Sequence, residues 1–165
     1  MALNPKSLII SDDIVVLWRD FAKTLGGYDI LKNAYGGHWP RLPVKNERVI
    51  SWYDDEILVG WSSVRRDPVE SYILVSIGIF PKYFLRGYSV EVFARAVTDG
   101  FETFPDVKCV LTSILKKNDT LVKHHFDLTK KYTWWKYAGE ILLPYSGEQI
   151  LFGTSRIEWF GRHIK

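Results

Sequence analysis

The nine residues Tyr72 to Phe80, YILVSIGIF, are apolar at almost every position and rich in β-branched side chains. A strand that alternates apolar and polar residues can leave one face in water; a run like this one cannot. It demands a central place in a sheet, with other material on both faces. Pro81 ends it, because proline brings no ladder donor. The next regular pattern, Val90, Phe93, Ala94, Val97 and Phe101, has helical spacing and one apolar face. Ile77 to Phe93 therefore reads as strand, short loop, helix. The loop residues Phe84-Leu85-Arg86-Gly87-Tyr88-Ser89 lie where a buried strand delivers the chain to a helix start.

The flanking sequence supplies the rest of a mixed domain. Ser11 is a good N-cap, with Asp12 and Asp13 in the first turn, and Ile14, Leu17, Trp18, Phe21 and Leu25 then repeat at helical spacing as far as Gly26-Gly27. A second short helix is expected over Asp29 to Tyr35, and the prolines of HWPRLP bar regular structure after it. Arg48 to Tyr53 and Ile57 to Arg66 read as strands of a hairpin around Asp54-Asp55-Glu56. Lys108 to Leu115 is a further buried strand, and Asn118 or Asp119 caps a helix to about Leu128. Thr133 to Leu142 and Gln149 to Phe160 form the last strands, and a short one is expected at Lys6 to Ile10. The order predicts an α/β (α+β) fold: a central mixed, largely antiparallel sheet flanked by helices. The 165 residues suit one domain, 1–165.

Composition narrows the function classes. The formal charge of +3 permits an anionic cofactor or a nucleic acid and demands neither. Cys109 is the single cysteine, so an internal disulfide is impossible and a cysteine-based metal site is not expected. His124 and His125 are adjacent and cannot both ligate one metal from a regular helix, so no metal is expected. No apolar run approaches the ~20 residues that span a bilayer. The stretch MALNPKSLIISDD does not read as a signal peptide, and a cytoplasmic protein is expected.

A helix start offers unpaired N–H groups and a partial positive charge, a natural seat for phosphate. In this loop Gly87 supplies a permissive backbone point, Arg86 a fixed positive charge, and Ser89 a small hydroxyl that can cap the helix or meet a phosphate oxygen. One glycine and one arginine are equally compatible with an ordinary strand-to-helix connection.

The run Ile79-Phe80-Pro81-Lys82-Tyr83-Phe84-Leu85-Arg86-Gly87-Tyr88-Ser89 resembles the loop of the GNAT family, the Gcn5-related N-acetyltransferases, written V-x-P-x-x-Q/R-x-x-G-x-G/A. Hydrophobe, proline, first glycine and a small last residue fall in register; Phe84 and Ser89 replace the usual Gln/Arg and Gly/Ala. Downstream, Asn118 to His125 resembles the family's N-x-x-A/S-x-x-x-Y. The resemblance extends from about Ser11 to Phe160.

The resemblance implies a GNAT-like acyl-CoA N-acyltransferase fold and direct transfer of acetyl from acetyl-CoA to a primary amine. The pantetheine arm would pair with the backbone at Ile77 and Ile79, and an N–H near Ile79 or Phe80 would polarise the thioester carbonyl. The diphosphate would rest on the N–H groups of Leu85, Arg86, Gly87, Tyr88, Ser89 and Val90, and Asn118 would touch the cofactor. His125, at the tyrosine position, would protonate the leaving thiolate, and Glu70 is a candidate base beside Tyr72, Ser76 and water. Tyr35, His38, Trp39, Arg41 and Trp134-Trp135 are candidates for acceptor recognition. The acceptor is open among a protein, a small amine and an aminoacyl-tRNA, and the resemblance allows a homodimer. The alternative is a catalytically inactive GNAT-like module that binds protein or nucleic acid.

Overall fold

A computed structural model describes residues 3–7, 46–83, 85–143 and 147–161. Its strands are β1 (Leu3–Ser7), β2 (Glu47–Asp54), β3 (Ile57–Arg66), β4 (Tyr72–Ile79), β5 (Cys109–Leu115), β6 (Lys136–Leu143) and β7 (Gly147–Ser155). A turn of 3-10 helix follows β4 at Pro81–Tyr83. The described helices are α1 (Tyr88–Thr103), α2 (Asp119–Lys131) and α3 (Arg156–Gly161). The two helices expected over Ser11 to Leu25 and Asp29 to Tyr35 lie outside the described residues.

The strands form one sheet in the order β1-β2-β3-β4-β5-β7-β6. Every pairing is antiparallel except β4 with β5, which is parallel. The apolar segment Tyr72 to Phe80 thus occupies the centre of the sheet, as its composition requires. The hairpin between β2 and β3 turns at Asp55, whose φ of 53° is one that Asp tolerates.

One face of the sheet carries the described helices. Ala96, Val97 and Phe101 of α1 pack on Val64 of β3 and on Ile73 and Val75 of β4, with Trp159 of α3 in the same cluster. Val122, Phe126 and Leu128 of α2 lie against Ile114, Ile150 and Phe152. The Arg156 guanidinium hydrogen-bonds the carbonyls of Phe101 and Phe104 at the end of α1, where helical partners run out, and that of Val107 in the loop beyond it.

Three boundaries differ from the sequence expectation. The last strand stops at Ser155, and Arg156–Gly161 is helical rather than extended. Ser155 and Glu158 cap that helix reciprocally: the Glu158 N–H reaches the Ser155 Oγ at 3.2 Å, and the Ser155 N–H reaches the Glu158 carboxylate at 3.4 Å. Strand β6 starts at Lys136, so Trp134 and Trp135 lie in the preceding turn. Strand β1 is described over Leu3–Ser7 and starts earlier than expected; Leu8 to Ile10 of the expected strand lie outside the described residues.

Candidate functional site

The parallel pairing of β4 with β5 is brief. Tyr72, Ile73 and Leu74 oppose Cys109, Val110 and Leu111, and there the ladder ends. Both strands continue, β4 to Ile79 and β5 to Leu115, each paired only on its outer side. They splay apart, and Thr112 marks the vertex: its hydroxyl donates to the Val75 carbonyl at 3.0 Å, in place of a further rung.

That bond also fixes which way the backbone of β4 points. The Val75 carbonyl faces β5, whereas the Phe80 N–H donates to Val59 O on the β3 side at 3.0 Å. Strand backbone groups point alternately to the two neighbours. Ile77 and Ile79 therefore direct N–H and C=O into the gap beside β5. The Phe80 N–H is already bonded and is unsuited to polarise a carbonyl in the gap, which corrects that half of the sequence expectation.

The turn at the open end of the gap is exposed. Leu85 has φ 62° and Gly87 φ 84°, both in the left-handed region. Leu85, Arg86, Gly87, Ser89 and Val90 are all solvent-exposed, and a Cβ built at Gly87 would meet nothing within 4 Å. The described side chains from Leu85 to Gly87 thus leave the turn open, and the N–H groups that open α1 lie at an exposed surface. Gly87 itself is the N-cap and Ser89 lies within the helix, so the capping role expected of Ser89 falls to the glycine. Arg86 lies 5.8 Å from the Tyr83 ring, which leaves its charge at the surface of the turn.

Tyr88 anchors this helix start from below. Its ring is buried among Leu3, Ile50, Trp52, Val59, Ile79 and Val92, and its hydroxyl donates to the Asp54 carboxylate at 2.6 Å. That bond raises the phenol above its ordinary pKa. The side chain serves the fold; only the Tyr88 main chain faces the turn.

On the other side of the gap, Asn118 caps α2: its Oδ1 accepts from the Leu121 N–H at 3.3 Å. About two helical turns further on, His125 is packed between the rings of Trp135 and Phe152, with centroids at 5.7 and 5.1 Å. The Trp135 indole N–H donates to His125 Nδ1 at 3.3 Å. Burial, with His124 adding to it, lowers the His125 pKa to about 4. The imidazole is therefore neutral near pH 7, with its proton on Nε2, and a neutral imidazole N–H is a far weaker acid than an imidazolium. This environment gives the acid role implied by the tyrosine position no support.

Glu70 is misplaced as a base. It sits in a turn before β4, where its N–H and that of Val69 bond the Asp67 carboxylate at 2.8 and 2.9 Å. Its side chain is exposed, and the β4 strand from Tyr72 to Ile77 alone spans roughly 17 Å at 3.3 Å per residue. It lies at the paired end of β4, away from the gap. Trp134 and Trp135 are core: Trp134 packs on Trp159 at 5.0 Å, and Trp135 packs on Phe93 of α1 at 5.1 Å. Tyr35, His38, Trp39 and Arg41, the other candidates for acceptor recognition, lie outside the described residues, as does Phe84.

The Phe93–Trp135 contact also bridges α1 to the start of β6 over the helical face of the gap. Sequence reasoning missed both this bridge and Thr112. A threonine at an inward-facing position of the largely apolar run VKCVLTSIL was the available signal for the latter.

No protein family profile and no curated protein matches the chain by sequence. Solved structures do match by shape. A chimera of the Vibrio cholerae spermidine N-acetyltransferase SpeG and hSSAT superposes with a TM-score of 0.67 at 16% identity, covering 97% of this chain and 99% of that one. The Vibrio cholerae enzyme in complex with CoA and spermine gives 0.65 at 15% identity over 96% and 98%. A dodecameric form of it gives 0.65 at 13% over 98% of each chain.

The chain has the GNAT fold. In this GNAT fold, the splayed β4–β5 pair and the open turn before α1 both lie at the C-terminal end of β4. The gap offers main-chain donors and acceptors, and the turn offers helix-start N–H groups beside Arg86. Such an arrangement suits an extended, amide-bearing arm that ends in a diphosphate.

Proposed function

We propose that this protein is an acetyl-CoA-dependent N-acyltransferase that acetylates a small amine by direct transfer. The observation that carries the reading is the splay of β4 from β5 immediately beside an exposed turn with two left-handed residues. Likeness to spermidine N-acetyltransferases, one of them in complex with CoA and spermine, supports it. A protein lysine or an aminoacyl-tRNA has no comparable support.

The residues present fit coenzyme A. Main-chain groups of Ile77 and Ile79 would hold the pantetheine arm, and the N–H groups from Leu85 to Val90 would hold the diphosphate, with Arg86 adding charge. Bound there, acetyl-CoA supplies a thioester as the acyl donor. The Ile79 N–H is then placed to polarise its carbonyl, an effect worth ~3–4 kcal/mol per donor in related chemistry. Asn118, at the start of α2, keeps its side-chain NH₂ for the arm while its oxygen caps the helix. Neither His125 nor Glu70 is suited as a proton donor for the thiolate, and water serves that role in this reading.

A second reading, a GNAT-like module without catalysis that binds protein or nucleic acid, draws support from one observation: neither His125 nor Glu70 is placed for proton transfer. An assay of free thiol released from acetyl-CoA in the presence of simple amines separates the two. Amine-dependent thiol release supports the transferase. Coenzyme A binding without release supports the inactive module, and a dodecameric neighbour makes the assembly state in solution a useful companion measurement.

A further inference from the structure

The two strands that part at the vertex each carry a serine just beyond it. Leu74 and Leu111 form the last rung of the parallel ladder, and the Thr112 hydroxyl on the Val75 carbonyl holds the next step together. Continuing that register sets Ser76 of β4 opposite Ser113 of β5. Val75 packs in the α1 cluster and Ile114 in the α2 cluster, so alternation along each strand turns Ser76 and Ser113 to the other face of the sheet. The two hydroxyls thus flank the start of the gap from its two walls, on one face.

Exposure sets this pair apart from the β3 side of the same face, where Trp61 packs over Gly78 and both are buried. Ser113 is exposed and Ser76 half-buried, so solvent reaches the vertex here. Neighbouring strands stand about 4.8 Å apart, and past the last rung the separation grows. Two O–H···O bonds of about 2.8 Å each span up to roughly 5.6 Å. One water therefore fits between the hydroxyls. A water makes up to about four hydrogen bonds, so one held by two serines keeps others for the gap. A thioester held along Ile77 and Ile79 begins one residue beyond Ser76, roughly 3 Å along the strand.

We infer that Ser76 and Ser113 are positioning residues for the transfer: together they hold the water that takes a proton from the attacking amine and returns one to the departing sulfur. The lone pair of the neutral amine forms the N–C bond at the thioester carbonyl, and the C–S bond breaks with its electron pair on sulfur. A nitrogen proton moves to the bridging water, and the water releases a proton to the thiolate. The N-acetylated amine and free coenzyme A leave with no net proton gained or lost. The serine hydroxyls neither attack nor ionise; they orient the water. This inference rests on the proposed transferase reading and locates the water on which that reading depends.

The test uses the full chain, thiol release from acetyl-CoA with butylamine and putrescine as acceptors, and calorimetric binding of coenzyme A. Ser113→Ala is expected to lower kcat at pH 7 at least about tenfold, with coenzyme A affinity unchanged, since positioned proton transfer supplies about 10²–10⁴ in rate. Ser113→Thr, which keeps the hydroxyl, is expected to stay within about threefold of wild type. Adding Ser76→Ala to Ser113→Ala is expected to cost little more, because both serines act through one water. The Ser113→Ala deficit is expected to shrink toward pH 9, where hydroxide takes the proton in place of the anchored water; a merely structural loss would be the same at both pH values. An unchanged kcat, a deficit independent of pH, a threonine variant as slow as the alanine one, or single losses that multiply in the double variant overturns the inference and leaves the transferase reading standing. Coenzyme A binding without turnover of either amine by the wild-type protein removes the transferase reading, and this inference with it.

Discussion

The indole N–H of Trp135 donates to Nδ1 of His125, and this one bond decides what the imidazole can do. Nδ1 accepts, so the neutral ring carries its proton on Nε2. Adding a second proton at Nδ1 would set two N–H groups against each other inside an aromatic cluster. The pKa of about 4 follows from the same burial.

The first consequence concerns turnover. A group that protonates a leaving thiolate contributes about 10²–10⁴ in rate. His125→Gln is expected to change kcat by less than about threefold and to leave the pH–rate profile between pH 6 and 8 in place, well below what general acid catalysis supplies. Steady-state kinetics across that range check it; a hundredfold loss would restore the histidine to the chemistry.

Stability should depend on the same residue in acid. The unfolded chain takes up a proton on His125 near pH 6.5, and the native protein only near 4. Its contribution is therefore intact above pH 6.5 and is lost as the pH falls toward 4, by roughly 3 kcal/mol in total. Urea unfolding of wild type and His125→Phe at pH 7 and pH 4.5 measures the difference. The acid-induced loss should be smaller in the variant.

Gly87 holds φ 84° at the head of α1 with open space around its Cα. Gly87→Val is not blocked by a clash, but a β-branched residue in the left-handed region costs about 1–2 kcal/mol. The turn is expected to relax, weakening coenzyme A binding at least tenfold while the fold persists. Circular dichroism and calorimetry together check this.

Thr112→Val tests the vertex of the splay. The variant keeps the side-chain shape and deprives the Val75 carbonyl of its donor, at a cost of about 1–2 kcal/mol. A lowered melting temperature with coenzyme A affinity retained within a few-fold is the expected result, because the Ile77 and Ile79 groups are untouched.

Much of the fold could be read from side-chain periodicity, since the strands β2 to β5 and the helices α1 and α2 each bury one face or both. What escaped was set by distant partners. The parallel rungs of Tyr72, Ile73 and Leu74 with β5 stop where Thr112 takes over, and no local pattern announces a ladder that ends. Ser155 and Glu158 did carry a capping-box spacing, but the apolar run around them favoured a longer strand. His125 sits at the tyrosine position of the resembled motif, yet its chemistry is set by Trp135, ten residues away and invisible to spacing. The exposed turn at Arg86 and Gly87 was legible because glycine and arginine have local reasons to be there. The pairing of Ser76 with Ser113 was not, because strand register alone brings those residues together.

The central claim is that the turn before α1 and the adjoining gap hold coenzyme A, and a calorimetric titration of the full chain with coenzyme A tests it most directly. The account predicts saturable one-site binding, with the melting temperature rising as ligand is added, equivalent to about 2.7 kcal/mol at a hundred times Kd. No heat and no shift at millimolar coenzyme A would contradict it.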